Sequence, residues 1–74
     1  MLEQLGRVAR KARLDAERTQ IQIATAAGVS HAVVSRLESG KRWPENPDRV
    51  IAGYAAECGL EPAELWRRAA NEPE

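Results

Sequence analysis

Residues 19–40 read TQIQIATAAGVSHAVVSRLESG, and the fold turns on how this stretch is read. Thr19 is a good helix N-cap, and Gln22, three residues on, can reach back to complete a capping box. Ile21, Ile23, Ala24 and Ala27 then make a mostly apolar run about two turns long. Gly28 stops it, because a residue without a Cβ adopts the left-handed conformation that ends helices. Val29 can drop into a core, Ser30 caps a second helix over residues 31–39, and Gly40 stands at the C-terminal stop. The pattern predicts two short helices joined by a tight turn.

The faces of the second helix carry the functional argument. At about 100° per residue, Val34 and Leu37 share one side, where they can pack on Ile23 and Ala27. His31, Ala32, Ser35, Arg36 and Ser39 are left pointing outward, a small, polar, basic face without an acid. A DNA major groove accepts such a helix, since base edges offer hydrogen-bond partners but little room. The matching residues Thr19-Gln20, Ile23-Ala24, Gly28-Val29-Ser30, Val34-Ser35, Leu37-Glu38 and Gly40-Lys41, with Arg13 six residues before Thr19, resemble the Cro/Xre-type, lambda-repressor-like helix-turn-helix family. The resemblance covers about five-sixths of the chain, residues 5–69. It implies an all-α, five-helix DNA-binding domain with the helix-turn-helix at its second and third helices.

On the recognition helix, Arg36 is the candidate reader of guanine, forking onto O6 and N7; a phosphate contact is its alternative role. His31, at the helix start, could meet a base edge, a phosphate or only water. Ala32 offers a methyl suited to thymine, and Ser35 is small enough to approach a base edge. Val33 flanks core and groove, and core packing is its simpler role. For the DNA backbone the resemblance points to Gln20, at the open start of a helix, and to Lys41 and Arg42 after the recognition helix. Ser30 and Ser39 are hydroxyls small enough for a phosphate to come close. Arg10 and Arg13 belong to a first helix that borders the DNA in the family, although four bases along a helix otherwise read as a solvated face. The resemblance also gives Arg13 a second role, pairing with Glu38; as an exposed pair this would contribute about 0.2–1 kcal/mol, more for orientation than stability.

Seventy-four residues make one small domain, too short for a separate effector domain. Met1 reads as a natural start. A single cysteine, Cys58, leaves no internal disulfide or multi-cysteine zinc site, and one histidine adds little material for metal binding or nucleophilic catalysis. No cofactor is expected, and an enzyme is the least favoured reading. No apolar run approaches a membrane span or signal peptide, so a cytoplasmic, nucleoid-associated protein is expected. Formal net charge is zero. Residues 1–42, however, hold eight bases against four acids (+4), and residues 43–74 hold three bases against seven acids (−4). The positive half coincides with the helix-turn-helix.

Helices are expected at residues 2–16, 20–27, 31–39, 47–58 and 62–70, each boundary uncertain by ~2–4 residues. Leu5, Val8, Ala9 and Ala12 make the buried stripe of the first. Between the first two helices Glu17 stands where the family often has glycine, and Arg18 where it has an apolar residue, so this connection is expected to be continuous or differently packed. Trp43 is expected under the loop that follows Arg42. Asn46 caps the fourth helix with Pro47 in its first turn; Val50, Ile51, Tyr54 and Ala55 face inward, and Gly59 ends it. Residues 1–70 form the domain and 71–74 a loose tail. The expected function is sequence-specific binding of double-stranded DNA by a small phage- or bacterial-type repressor. The alternative is a protein-binding module on the same fold, an antitoxin or anti-repressor, which the acidic C-terminal half favours. A weak homodimer through the C-terminal helix, at Leu65 and Trp66, would supply two half-sites.

Overall fold

In the computed structural model, which describes residues 1–73, the chain runs α1 (Leu2–Asp15), α2 (Gln20–Ala27), α3 (His31–Glu38), α4 (Pro47–Cys58) and α5 (Pro62–Asn71). The described residues contain no strand. Glu74, the end of the tail expected to be loose, lies outside them.

Local chemistry starts and stops these helices where the sequence signals. The Thr19 hydroxyl accepts from the Gln22 N–H at 3.1 Å while the Gln22 side chain accepts from the Thr19 N–H at 2.8 Å, so the capping box is complete. Gly28 takes φ +70° and ends α2. Asn46 accepts from the Arg49 N–H at 3.2 Å, with Pro47 opening α4. Ser30 departs from expectation: it holds the N-cap position of α3 with extended backbone, but its side chain makes no capping bond.

The first connection is a break, not a continuous helix. The Glu17 N–H bonds to the Leu14 carbonyl and the Arg18 N–H to the Arg13 carbonyl, and Glu17 sits at φ +56°. That is the left-handed conformation in which a Cβ is crowded. Arg18 lies over the surface and donates to the Glu57 carbonyl at 3.3 Å, so its guanidinium stays wet where an apolar side chain would be buried.

Leu5, Ile23, Val34, Leu37, Val50, Ile51, Tyr54 and Leu65 are wholly buried and draw all five helices into one core. Val8, Ala9, Ala12, Ala24, Ala55 and Ala69 complete it. Small residues let helices come close. A Cβ on Gly6 would lie 2.3 Å from the Leu37 carbonyl oxygen, so only glycine allows α1 to press against the end of α3. α1 also packs on α5, and α2 packs on α3 and α4. Both members of the helical pair are thereby braced from behind, leaving the outer face of α3 uncovered.

Candidate nucleic-acid interface

α3 is eight residues long, about 12 Å, a length comparable to the width of a B-DNA major groove. Val34 and Leu37 hold its inner side in the core, and Val33 is half-buried against it. His31, Ala32, Ser35 and Arg36 are all exposed on the outer side. Lys41 and Arg42 follow on the same chain turn and are exposed as well. The expected base-facing set is therefore brought together on one helix, with no acid among it.

Behind this face lies a buried polar centre built on Glu38. Arg13 grips its carboxylate with two bonds of 2.8 Å, Nε to Oε2 and a terminal nitrogen to Oε1. The Tyr54 hydroxyl donates to Oε2 at 2.6 Å, and the Gln20 amide donates to Oε1 at 3.1 Å. One residue from each of α1, α2 and α4 thus converges on α3. Burial by itself would raise the Glu38 carboxyl; the bonds from Arg13, Tyr54 and Gln20 and the nearby guanidinium charge outweigh it and hold the group below the usual carboxylate range. The same contacts hold the Arg13 guanidinium protonated, against its own burial. Burial and the adjacent carboxylate push the Tyr54 phenol well above the ordinary range, so it keeps its proton and acts as a donor.

This centre corrects two expectations. The Arg13–Glu38 pair is not exposed: the two side chains are 11% and 3% accessible, which moves it out of the class of weak surface pairs. Arg13 also donates its remaining terminal nitrogen to the Arg18 carbonyl at 3.0 Å. Its Nε and both terminal nitrogens are therefore already bonded inside the molecule.

The other backbone candidates divide. Arg10 is exposed on α1. Gln20 is half-buried, with one amide hydrogen directed to Glu38, and the N–H groups of Gln20 and Ile21 lie at the open end of α2, as in any helix first turn. Its Oε1 lies 2.7 Å from His31 Nε2. Ser30 is exposed with its hydroxyl uncommitted to the cap. Ser39 donates its hydroxyl proton to the Ser35 carbonyl at 2.7 Å, so it has no proton left for a phosphate. Trp43 does not sit under its loop; it is 41% exposed and forms, with Val29, Val33, Pro44 and Val50, the apolar wall of an open groove beside Arg36 and Arg42.

Two side chains in this region carry no sequence signal. Tyr54 has the spacing of a core residue, and its bond to Glu38 crosses 16 positions. Arg49 reaches from α4 to the last carbonyl of α2, Nε to Ala27 O at 2.8 Å, pinning the turn between the two helices across 22 positions. A cation there also suits the negative end of the α2 dipole.

A family model described as a helix-turn-helix domain matches residues 4–68. The chain belongs to this family. Two crystal structures of the clp gene regulator ClgR from Corynebacterium glutamicum are similar to it, each 29% identical and covering 93% of this chain. One aligns over 87% of the ClgR chain with a TM-score of 0.75, the other over 71% with a TM-score of 0.78. Among curated proteins none matches the chain. The capping box, the left-handed turn and the uncovered face of α2 and α3 all lie within the matched residues.

At the far end of this helix-turn-helix domain, Leu65 is wholly buried. Of the two residues expected at a dimer seam it therefore serves the core of the monomer, and Trp66, half-buried against that core, is the one left partly at the surface. Arg7 on α1 bonds the Glu72 carboxylate and the Pro73 carbonyl beyond the end of α5. None of the described helices is long and apolar enough to cross a membrane.

Proposed function

We propose that this domain is a sequence-specific regulator of transcription that lays α3 in the major groove of double-stranded DNA. The observation that carries the reading is the outer face of α3: four exposed residues, His31, Ala32, Ser35 and Arg36, without an acid, continuous with Lys41 and Arg42 and backed by a core that fixes the helix. In this reading those four meet base edges, and Arg10, Gln20, Ser30, Lys41 and Arg42 meet the sugar-phosphate backbone. Arg13 positions α3 through Glu38 instead of touching phosphate, and Ser39 serves its own helix.

Repression is the role we assign, because blocking a promoter requires nothing beyond the DNA contact. The similarity to a protein named as a gene regulator supports a regulatory role. A single short helix reads few base pairs, so two copies on half-sites about 34 Å apart would give useful specificity, with Trp66 and Leu60 at the seam.

The test is selection of bound sequences from random duplex DNA, followed by affinity measurements at several salt concentrations. A recovered motif, with affinity falling linearly as log salt rises, supports the reading. Recovery of no motif, together with capture of an acidic protein by the same face, would favour the protein-binding module instead.

A further inference from the structure

The relay from Glu38 to His31 fixes more than the position of a side chain. A carboxylate that already accepts from Arg13 and Tyr54 can only accept again, so the Gln20 amide must turn its NH2 towards Glu38. The opposite side of that amide, its oxygen, then faces His31 Nε2 at 2.7 Å. An amide oxygen can only accept, and the ring nitrogen it meets must therefore carry the hydrogen. In a neutral imidazole one nitrogen is a donor and the other a bare lone pair. The lone pair accordingly lies on Nδ1, which has no hydrogen-bond partner among the described residues on a side chain exposed at the start of α3.

We infer that His31 acts as a pure hydrogen-bond acceptor towards DNA, and that it selects the exocyclic amine of adenine or cytosine at one position of the site. This rests on the proposed DNA reading. In the major groove only adenine N6 and cytosine N4 present donors, while guanine and thymine present acceptors and a methyl. A histidine free to move its proton could meet either class. Gln20 removes that freedom, because an Nδ1–H form would leave two lone pairs, Nε2 and the amide oxygen, facing each other at 2.7 Å. Gln20 is thus a positioning residue for base choice, and the buried Glu38 carboxylate sets the direction of the whole chain of bonds.

His31 is the only histidine, so its ring nitrogens give an unambiguous 15N spectrum. At pH 8.5, above the range in which imidazoles ordinarily titrate, the free wild-type protein should show the Nε2–H form alone. Selection from random duplexes at the same pH should return adenine or cytosine at one position. His31→Ala should lose that preference and about fivefold in affinity, the worth of one neutral hydrogen bond. Gln20→Met should relax the same position while the preferences at the others stand. An Nδ1–H spectrum, guanine or thymine at the His31 position, or a preference that survives His31→Ala overturns the inference. If wild type selects no DNA at all, the DNA reading falls and base choice with it, and the spectrum still reports whether the relay forms. The spectrum is taken on wild type, so a Gln20 variant that fails to fold leaves the inference exposed to refutation.

Discussion

Glu38 and Arg36 are two residues apart on α3 and live in opposite worlds. Glu38 faces inward and accepts four hydrogen bonds, two from Arg13 and one each from Gln20 and Tyr54. Arg36 faces outward, and its guanidinium has no partner among the described residues; the same holds for Lys41 and Arg42. Buried polar groups must be satisfied internally or the fold loses stability, so a fully bonded charge reports on architecture. Exposed cations on the uncovered face of a helix and in the loop that follows it report on what lies outside. The contrast separates the residues that hold α3 from those that α3 presents, with the Gln20–His31 bond linking the two sets.

The largest effect belongs to the inner side. Glu38→Gln leaves Arg13 buried without a counter-charge, and should cost about 3–5 kcal/mol in urea unfolding. The cost should fall in acid. The folded-state pKa of Glu38 lies below its unfolded value, so its contribution is fully present above about pH 4.3 and is lost as pH drops through the folded value. The gap between wild type and Glu38→Gln should therefore close between pH 4.3 and more acid conditions. Arg13→Met with Glu38→Leu removes both charges and should cost less than the two single changes summed. A gap that stays constant in acid, or simple additivity, would return the pair to the class of surface contacts.

On the outer side the pattern should invert. Arg36→Ala should leave stability within about 0.5 kcal/mol. It should cost about 1–3 kcal/mol of affinity on the selected site and relax one base pair, a G·C if the guanidinium forks onto guanine. A loss of stability comparable to that of Glu38→Gln would show that the outer face is architectural after all. Unchanged base preference with lower affinity would make Arg36 a phosphate contact.

A subtler effect is expected at Arg42. Its removal should weaken binding to all sequences alike and reduce the slope of log affinity against log salt by about 1. An unchanged slope would mean that the loop after α3 stands away from the backbone.

The legible part of this molecule is the part whose partners lie within four residues. Thr19 and Gln22 signal their capping box, and Asn46 and Pro47 the start of α4, because donor and acceptor are neighbours in sequence. Periodicity likewise placed Val34 and Leu37 inward and His31, Ala32, Ser35 and Arg36 outward. Long-range polar bonds obey no spacing rule. Only resemblance to a family pairs Arg13 with Glu38, and nothing in the sequence around either residue signals that the pair is buried. Tyr54 and Arg49 had no signal at all, since an inward tyrosine need not find a carboxylate and an arginine in an acidic half need not reach back to a helix end. Ser39 failed for the opposite reason: a serine near a helix end commonly bonds a carbonyl of its own helix, a local competitor to any phosphate.

The smallest effect tests a place where sequence and structure meet at one residue. Glu17 holds φ +56°, a conformation that costs an L-residue about 1–2 kcal/mol and a glycine almost nothing. Glycine has more freedom to lose on folding, by roughly 0.5–1 kcal/mol, which offsets part of the relief. Glu17→Gly should therefore stabilise the protein by a net amount of about 0.5–1 kcal/mol, or several degrees in Tm for a chain of this size. Glu17 takes no part in the Glu38 centre or the outer face of α3, so DNA affinity and base preference should not move. A rise in Tm with unchanged binding would show that the first turn is strained independently of both faces. A fall in Tm would mean that the glutamate side chain contributes something its exposed position does not show. Altered base preference would couple this turn to α3 through Arg13, whose terminal nitrogen bonds the carbonyl of the very next residue, Arg18.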